Sequence, residues 1–536
     1  MTATPSHARS ADQPPAGEVL THRQILIVFS GLMLALLLAA LDQTIVGTAL
    51  PTIVGDLHGL NHLSWVVTAY LLTATTVALL YGKISDLYGR KPVYQVAIIL
   101  FLIGSALAGL SQNMTQLILF RALQGLGAGG LIVLAQTIIG DIVSPRERGR
   151  YQGYFGAVFG LATVAGPLLG GFIVDNLSWR WVFAINIPLG IVALFVISVV
   201  LKDPVKGQKH RIDYAGSVLM ASGVSALLLV SVWGGQEYAW SSPTIIGLTI
   251  AGVALLVGFL VREHYAAEPI LPLRLFRDKV FSVAGGIGFI LGLVMFGAIV
   301  FMPIYFQIVR GMDPTISGLQ LLPLVLGLFG MSIGSGQLIS RFGRYKVFPI
   351  VGTALTAIGL WLLSGLDANT SMWIVWVDSF VLGAGIGAVL QVLILAVQNA
   401  VPYKDMGTST AAMNFLRSMG GTFGTSIFGA ILTSRLAFYL SQSLPAGAAG
   451  SVSGGNVTSS PAAIEALPAQ VREVIIDAFV KSLHVVFLVG VPIAIAAFVL
   501  SLFLPERPLR KTIGGSSPAA TDEEVDPEVP LDALSL

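Results

Sequence analysis

The 536-residue sequence contains no cysteine, which excludes disulfides, thiolate metal sites and cysteine nucleophiles together. Charge is also scarce: Asp, Glu, Lys and Arg make up 11% of the residues, against about 25% in an average soluble domain. No Walker-type phosphate loop, HExxH helix or nucleophile elbow occurs, so neither nucleotide drive nor hydrolysis has support. The seven histidines are scattered rather than gathered at one level, which leaves a metal or acid–base centre without a constellation. What is present is apolar surface: 55% of residues are hydrophobic, and the bilayer is the solvent this composition suits.

A helix crosses a hydrocarbon core of about 30 Å with about 20 apolar residues. Windows of that size occur fourteen times, the clearest being 92–120, 151–174, 181–201, 214–236, 238–261, 280–309 and 314–340. Four windows hold or abut a charge: Asp42 in 24–51, Arg121 beside 122–140, Asp378 in 371–400 and Arg417 in 407–434. An even count places both termini on one side. Of the 30 Lys and Arg, 23 fall on that side, 5 on the other and two within spans, so the positive-inside rule predicts cytoplasmic termini in a cell membrane. Residues 1–22 are polar, and the first apolar segment is predicted to stay as span 1 rather than be cleaved as a signal.

Short connections predict antiparallel neighbours in one bundle. An internal repeat orders them. GKISDLYGRK begins at Gly82 and GQLISRFGRYK at Gly336, each reading Gly, six residues, Gly-Arg, with an offset of 254 that also carries Gly166 onto Gly420 and Gly170 onto Gly424. The expected organisation is a tail over 1–23, a six-helix half over 24–201, an inserted helix pair over 202–262 and a second six-helix half over 263–505. An outward loop at 435–481 is predicted to hold a short amphipathic surface helix around Leu467, Val471, Val474 and Ile475. Residues 506–536, with their DEEVDPE run, read as a disordered cytoplasmic tail.

LDQTIVGTALP at Leu41–Pro51, GKISDLYGRK, RALQGLGAGG from Arg121, GLATVAGPLLGG ending at Gly171 and WRWVFAINIPLG from Trp179 occur in this order. Together they resemble the signatures of the major facilitator superfamily, and within it the fourteen-span drug:proton antiporter branch. The resemblance covers all fourteen spans. It implies an all-α polytopic membrane protein, a major facilitator-type 6+2+6 helix bundle with two pseudo-symmetric six-helix halves and a central cavity lined by spans 1, 4, 9 and 12. It also implies a non-enzymatic transporter that needs no cofactor and runs on the proton gradient. In two places the sequence departs from the pattern. The second loop has Ser340 and Arg341 but no acid at the position matching Asp86, which follows Ser85 in the first, and this predicts a different or weaker latch; Gly47 stands where many relatives carry Asn.

Each charge inside a membrane costs about 2.5 to 3.5 kcal/mol on insertion scales, so each needs a reason. Asp42 and Arg121 are expected to face one water-filled space in the outer half, with Asp42 as the proton-coupling acid, Arg121 as its tuning partner and Asp378 as a second acid. A mutual ion pair that fixes helix register is the competing reading. Gln124, Asn186 and Arg417 are polar candidates for the cavity wall, although Arg417 is better explained by acceptors within the bundle. Gly82, Asp86, Gly89, Arg90 and Lys91 form the expected gating loop: Asp86 meets the positive end of another helix and Arg90 bridges to an acid of the neighbouring half. Gly156, Gly160, Gly166, Pro167 and Gly170 permit close approach of span 5 to a neighbour, as a seal or as ordinary packing.

The function these residues predict is proton-coupled export of lipophilic, cationic drugs or related metabolites. Export of one endogenous metabolite, antibiotic or lipid is the alternative, ahead of nutrient import or a membrane-embedded enzyme or sensor. The predicted partners are the substrate, protons and the bilayer, with no nucleic acid. The chain is expected to act as a monomer, and a periplasmic adaptor is compatible with the sequence.

Overall fold

The computed structural model describes residues 21–57, 63–201, 213–235, 237–266, 268–443, 464 and 467–509. Its fourteen helices long and apolar enough to cross a membrane are α1 (His22–Asp56), α2 (Leu63–Tyr88), α3 (Arg90–Gly109), α4 (Met114–Ile142), α5 (Pro145–Asn176), α6 (Trp181–Val200), α7 (Tyr214–Trp233), α8 (Pro243–Tyr265), α9 (Lys279–Val309), α10 (Ile316–Phe342), α11 (Val347–Ser364), α12 (Met372–Ala400), α13 (Met406–Ser443) and α14 (Ala469–Leu502). Most of the N-terminal tail and, from residue 510, the acidic tail lie outside the described residues.

Helix starts follow the local sequence. Thr21 and Gln24 form a capping box on α1, and Asn113, Asp213, Ser242 and Asp278 accept backbone N–H groups at the starts of α4, α7, α8 and α9. Pro188 has no N–H for the carbonyl of Ala184, and α6 is interrupted there between Trp181–Ala184 and Asn186–Val200.

Packing repeats along the chain. α2 lies on α4, α3 on α4, α1 on α5, and α6 on α1 and α3; correspondingly α10 lies on α12, α11 on α12, α9 on α13, and α14 on α9 and α11. Across these two sets the principal contacts are α2 with α13 and α5 with α10. α7 and α8 pack on each other, and α7 also touches α2 and α13. After α14 the chain returns to the loop ends of the second set: Tyr345 Oη donates to the Pro505 carbonyl at 2.8 Å, and Asn399 Nδ2 to that of Pro508 at 3.2 Å. We call this face of the bundle, where the α2–α3 and α10–α11 loops also lie, the terminal face.

The expected short surface helix before α14 is not a separate element. Val471, Val474 and Ile475 belong to the first turns of α14, which runs unbroken for 34 residues, and Ile475 is fully buried. No breaker separates the amphipathic stretch from the apolar one, so a single helix of about 51 Å projects beyond the membrane, with an Asp477–Lys481 pair on its exposed side. α13, 38 residues long, projects likewise. Residues 444–463, 465 and 466 of the predicted loop lie outside the described residues.

Candidate functional site

Asp42 on α1 is 0% exposed and Arg121 on α4 is 1% exposed, and they form an ion pair at 2.5 Å. The carboxylate also accepts Gln124 Nε2 at 2.8 Å and Asn186 Nδ2 at 3.2 Å. Arg121 donates further to Gln124 Oε1 at 2.8 Å, and its guanidinium lies 4.2 Å from the centroid of the Tyr70 ring. Asn186 sits at the interruption of α6 and donates also to Ser105 Oγ at 3.0 Å. Helices α1, α2, α3, α4 and α6 therefore meet at one charge-neutral cluster. A buried pair satisfied this fully is held by several bonds at once, and removing one member would strand the others.

This corrects one expectation. Asp42, Arg121, Gln124 and Asn186 do not line a water-filled space; they are sealed inside the first set of helices. The reason is rotational: the faces of α1 and α4 carrying these residues turn toward α2, α3 and α6 rather than toward the second set. Asp378 lies apart on α12, buried, with no hydrogen bond or ion pair among the described residues.

The α2–α3 loop joins the first set of helices to the start of α13 in the second. Asp86 accepts the backbone N–H groups of Gly407 at 3.0 Å and Thr408 at 2.8 Å, and the Thr408 hydroxyl at 2.8 Å, so it caps α13 from a distant part of the chain. Gly82 abuts Gly407 and Ala411, a spacing that leaves no room for a Cβ. Gly89 takes φ +95°, a conformation that glycine reaches without strain, and Lys91 follows half-buried in the first turn of α3. Arg90 departs from expectation: its partners are Asp86 at 2.5 Å, Ser85 Oγ at 2.7 Å and Asp141 of α4 at 2.7 Å. The acid it bridges to thus belongs to its own half, where it fixes the loop that presents Asp86.

At the repeat of this loop the polarity is reversed. Arg146 at the start of α5 donates to the carbonyls of Ser340 and Arg341, both at 3.1 Å, at the C-terminus of α10. A cation there complements the helix end as Asp86 complements the start of α13. The span 5 glycines divide between two partners. Gly156 and Gly160 face Ser332, Phe329 and Val325 of α10, whereas Gly166 and Gly170, on either side of Pro167, face Thr44, Ile45 and Thr48 of α1. Below them Gly149 crosses Gly336 backbone to backbone.

Sequence reasoning missed a network of amides between the two sets. Gln152 of α5 donates to Gln398 of α12 at 3.0 Å; Gln398 donates to the Gln136 carbonyl of α4 at 3.2 Å and to Thr410 of α13 at 3.0 Å. Asn414 donates to Gln136 Oε1 at 2.6 Å and accepts from Arg417 at 2.9 Å. Glutamine and asparagine inside otherwise apolar spans were the available signal, since a buried amide needs partners.

The chain was compared with known proteins. The Major Facilitator Superfamily model matches residues 32–425. An uncharacterized MFS-type transporter of Mycobacterium tuberculosis (strain ATCC 25618 / H37Rv) is 44% identical over 484 residues, covering 90% of this chain and 70% of that protein. Multidrug transporter protein MdtP of Bacillus subtilis (strain 168) is 40% identical over 502 residues, covering 89% and 92%. Among solved structures, the proton:xylose symporter XylE bound to 6-bromo-6-deoxy-D-glucose superposes with a TM-score of 0.60 at 15% identity, over 91% of this chain and 98% of that one.

Proposed function

The chain belongs to the Major Facilitator Superfamily, and we propose that it is a proton-coupled antiporter exporting lipophilic small molecules across the cytoplasmic membrane by alternating access, with both termini cytoplasmic. The multidrug names of its relatives support the export reading. The observation that carries proton coupling is the Asp42 cluster, because it ties five helices to the charge on one carboxylate. A proton on Asp42 would remove the charge that Arg121, Gln124 and Asn186 converge on, loosening α1 and α4 from α6. Deprotonation would draw them together again. That is the requirement for an exchanger, in which occupancy by H⁺ and the arrangement of helices depend on each other.

The expectation of a cationic substrate rested on acids facing the cavity, and it loses that support now that Asp42 is enclosed. No cofactor enters the mechanism; the proton gradient supplies the energy, and one polypeptide is taken as the working unit. The test is a transport assay with purified protein in liposomes under an imposed pH gradient, with a panel of anionic, neutral and cationic lipophiles. Gradient-dependent accumulation of at least one class, with counterflow of protons reported by an entrapped pH dye, is expected. Equal transport without a gradient would refute the coupling.

A further inference from the structure

Two arginines away from the helix ends, Arg121 and Arg417, are treated oppositely. Arg121 is neutralised by Asp42, hydrogen-bonded to Gln124 and stacked on Tyr70. Arg417 donates to Asn414 Oδ1 at 2.9 Å, and among the described residues that is its one hydrogen bond. A guanidinium carries five N–H donors. A cation left this way inside a span calls for a partner.

Its direction follows from the helix. Residues 410, 414, 417 and 421 recur along one face of α13. Thr410 on that face meets Gln398 of α12, and Asn414 meets Gln136 of α4, so Arg417 continues the face of α13 that turns toward α12 and α4. It lies about 16 Å along α13 from Met406, near the middle of a 30 Å core. Two further groups on this wall are unpaired among the described residues: Gln136 Nε2, a donor on a fully buried side chain, and Gln391 Oε1, two turns from Gln398 on the same face of α12 and 4% exposed.

We propose that Arg417, Asn414, Gln136 and Gln391 form an anion subsite between α4, α12 and α13, and that the exported lipophiles include molecules bearing a carboxylate or a comparable oxyanion. Resting on the export reading, this names the substrate class. The guanidinium takes the anion in a charge-assisted bond, Gln136 Nε2 supplies a further donor, and Gln391 Oε1 accepts an N–H or O–H elsewhere on the molecule. Half-buried inside a span, the guanidinium is partly stripped of water, so an anion gains more here than it would at an exposed arginine.

The test uses three probes that share a pyrene–alkyl body and carry head groups of different charge: pyrenebutyrate, its methyl ester and pyrenebutylamine. Binding to the purified full chain in lipid nanodiscs is read as saturable tryptophan-to-pyrene energy transfer, with no gradient. The wild type should bind the acid at least tenfold tighter than the ester or the amine. R417Q should abolish that preference, while R417K, which keeps the charge, should retain part of it and serves as the folding control. No saturable binding of the acid, equal affinities, or a preference that survives R417Q overturns the subsite. An acid preference with no gradient-driven transport overturns the proton-coupling reading and leaves the subsite standing.

Discussion

Asp42 and Arg121, 79 residues apart in sequence, share a 2.5 Å ion pair from which water is excluded on all sides. Their dependence on each other leads to the first prediction. Asp42→Asn leaves a buried guanidinium without its counter-charge and should lower stability by about 3 to 5 kcal/mol, whereas Asp42→Asn combined with Arg121→Gln should recover much of that loss. Thermal unfolding of the detergent-purified variants reads both. If the losses simply add, the pair is not the stabilising unit described here.

Drug-driven proton release offers a second check on the same carboxylate. In liposomes carrying an entrapped pH dye, Asp42→Asn should bind substrate yet release no protons when substrate is added. Release at the wild-type rate would remove Asp42 from the coupling role.

The Asp86 cap on α13 should control how long the terminal face stays closed. Since the chain has no cysteine, Gln152→Cys with Gln398→Cys introduces a cross-linking pair without background. Asp86→Asn keeps the shape of the side chain but loses the charge that complements the helix start, worth about 0.3 to 1 kcal/mol in ordinary helices and up to about 2 when partly buried. Cross-linking by a short bifunctional thiol reagent should slow severalfold. An unchanged rate would show that the cap does not hold this face.

Close approach of α5 to α10 makes a sharper test of the same closure. A Cβ on Gly149 would stand 2.7 Å from the Gly336 carbonyl oxygen, so Gly149→Leu should forbid the closed arrangement, abolish transport and suppress the cysteine cross-link while the protein still inserts. Gly171→Ala, with nothing within 4 Å of the new carbon, is the matched control and should transport normally. Equal transport by both variants would separate the crossing from function.

The orientation set by the basic loops can be read with single cysteines and a membrane-impermeant maleimide. Asn176→Cys, exposed at the far end of α5, should label in intact cells, and Lys404→Cys, exposed on the terminal face, only after permeabilisation. The reverse pattern would invert the topology.

How much of this was legible beforehand follows from the kind of information each feature carries. Apolar windows, basic loops and the Gly82 and Gly336 repeats are properties of the chain read in order, because crossing a bilayer constrains length and composition irrespective of neighbours. The sequence by itself therefore determined the fourteen helices, their alternation and Asp86 as a helix-end partner. It also picked out Asp42, Arg121, Gln124 and Asn186 as exceptional. Only the tertiary structure decided that these four meet one another and not the central space, that Arg90 reaches Asp141, that α14 absorbs the expected surface helix, and that amides join α4, α5, α12 and α13. Each of those depends on how a helix is rotated about its own axis. In spans that are apolar nearly all round, the sequence pattern leaves that rotation open, and the packing of small residues against neighbouring backbones sets it.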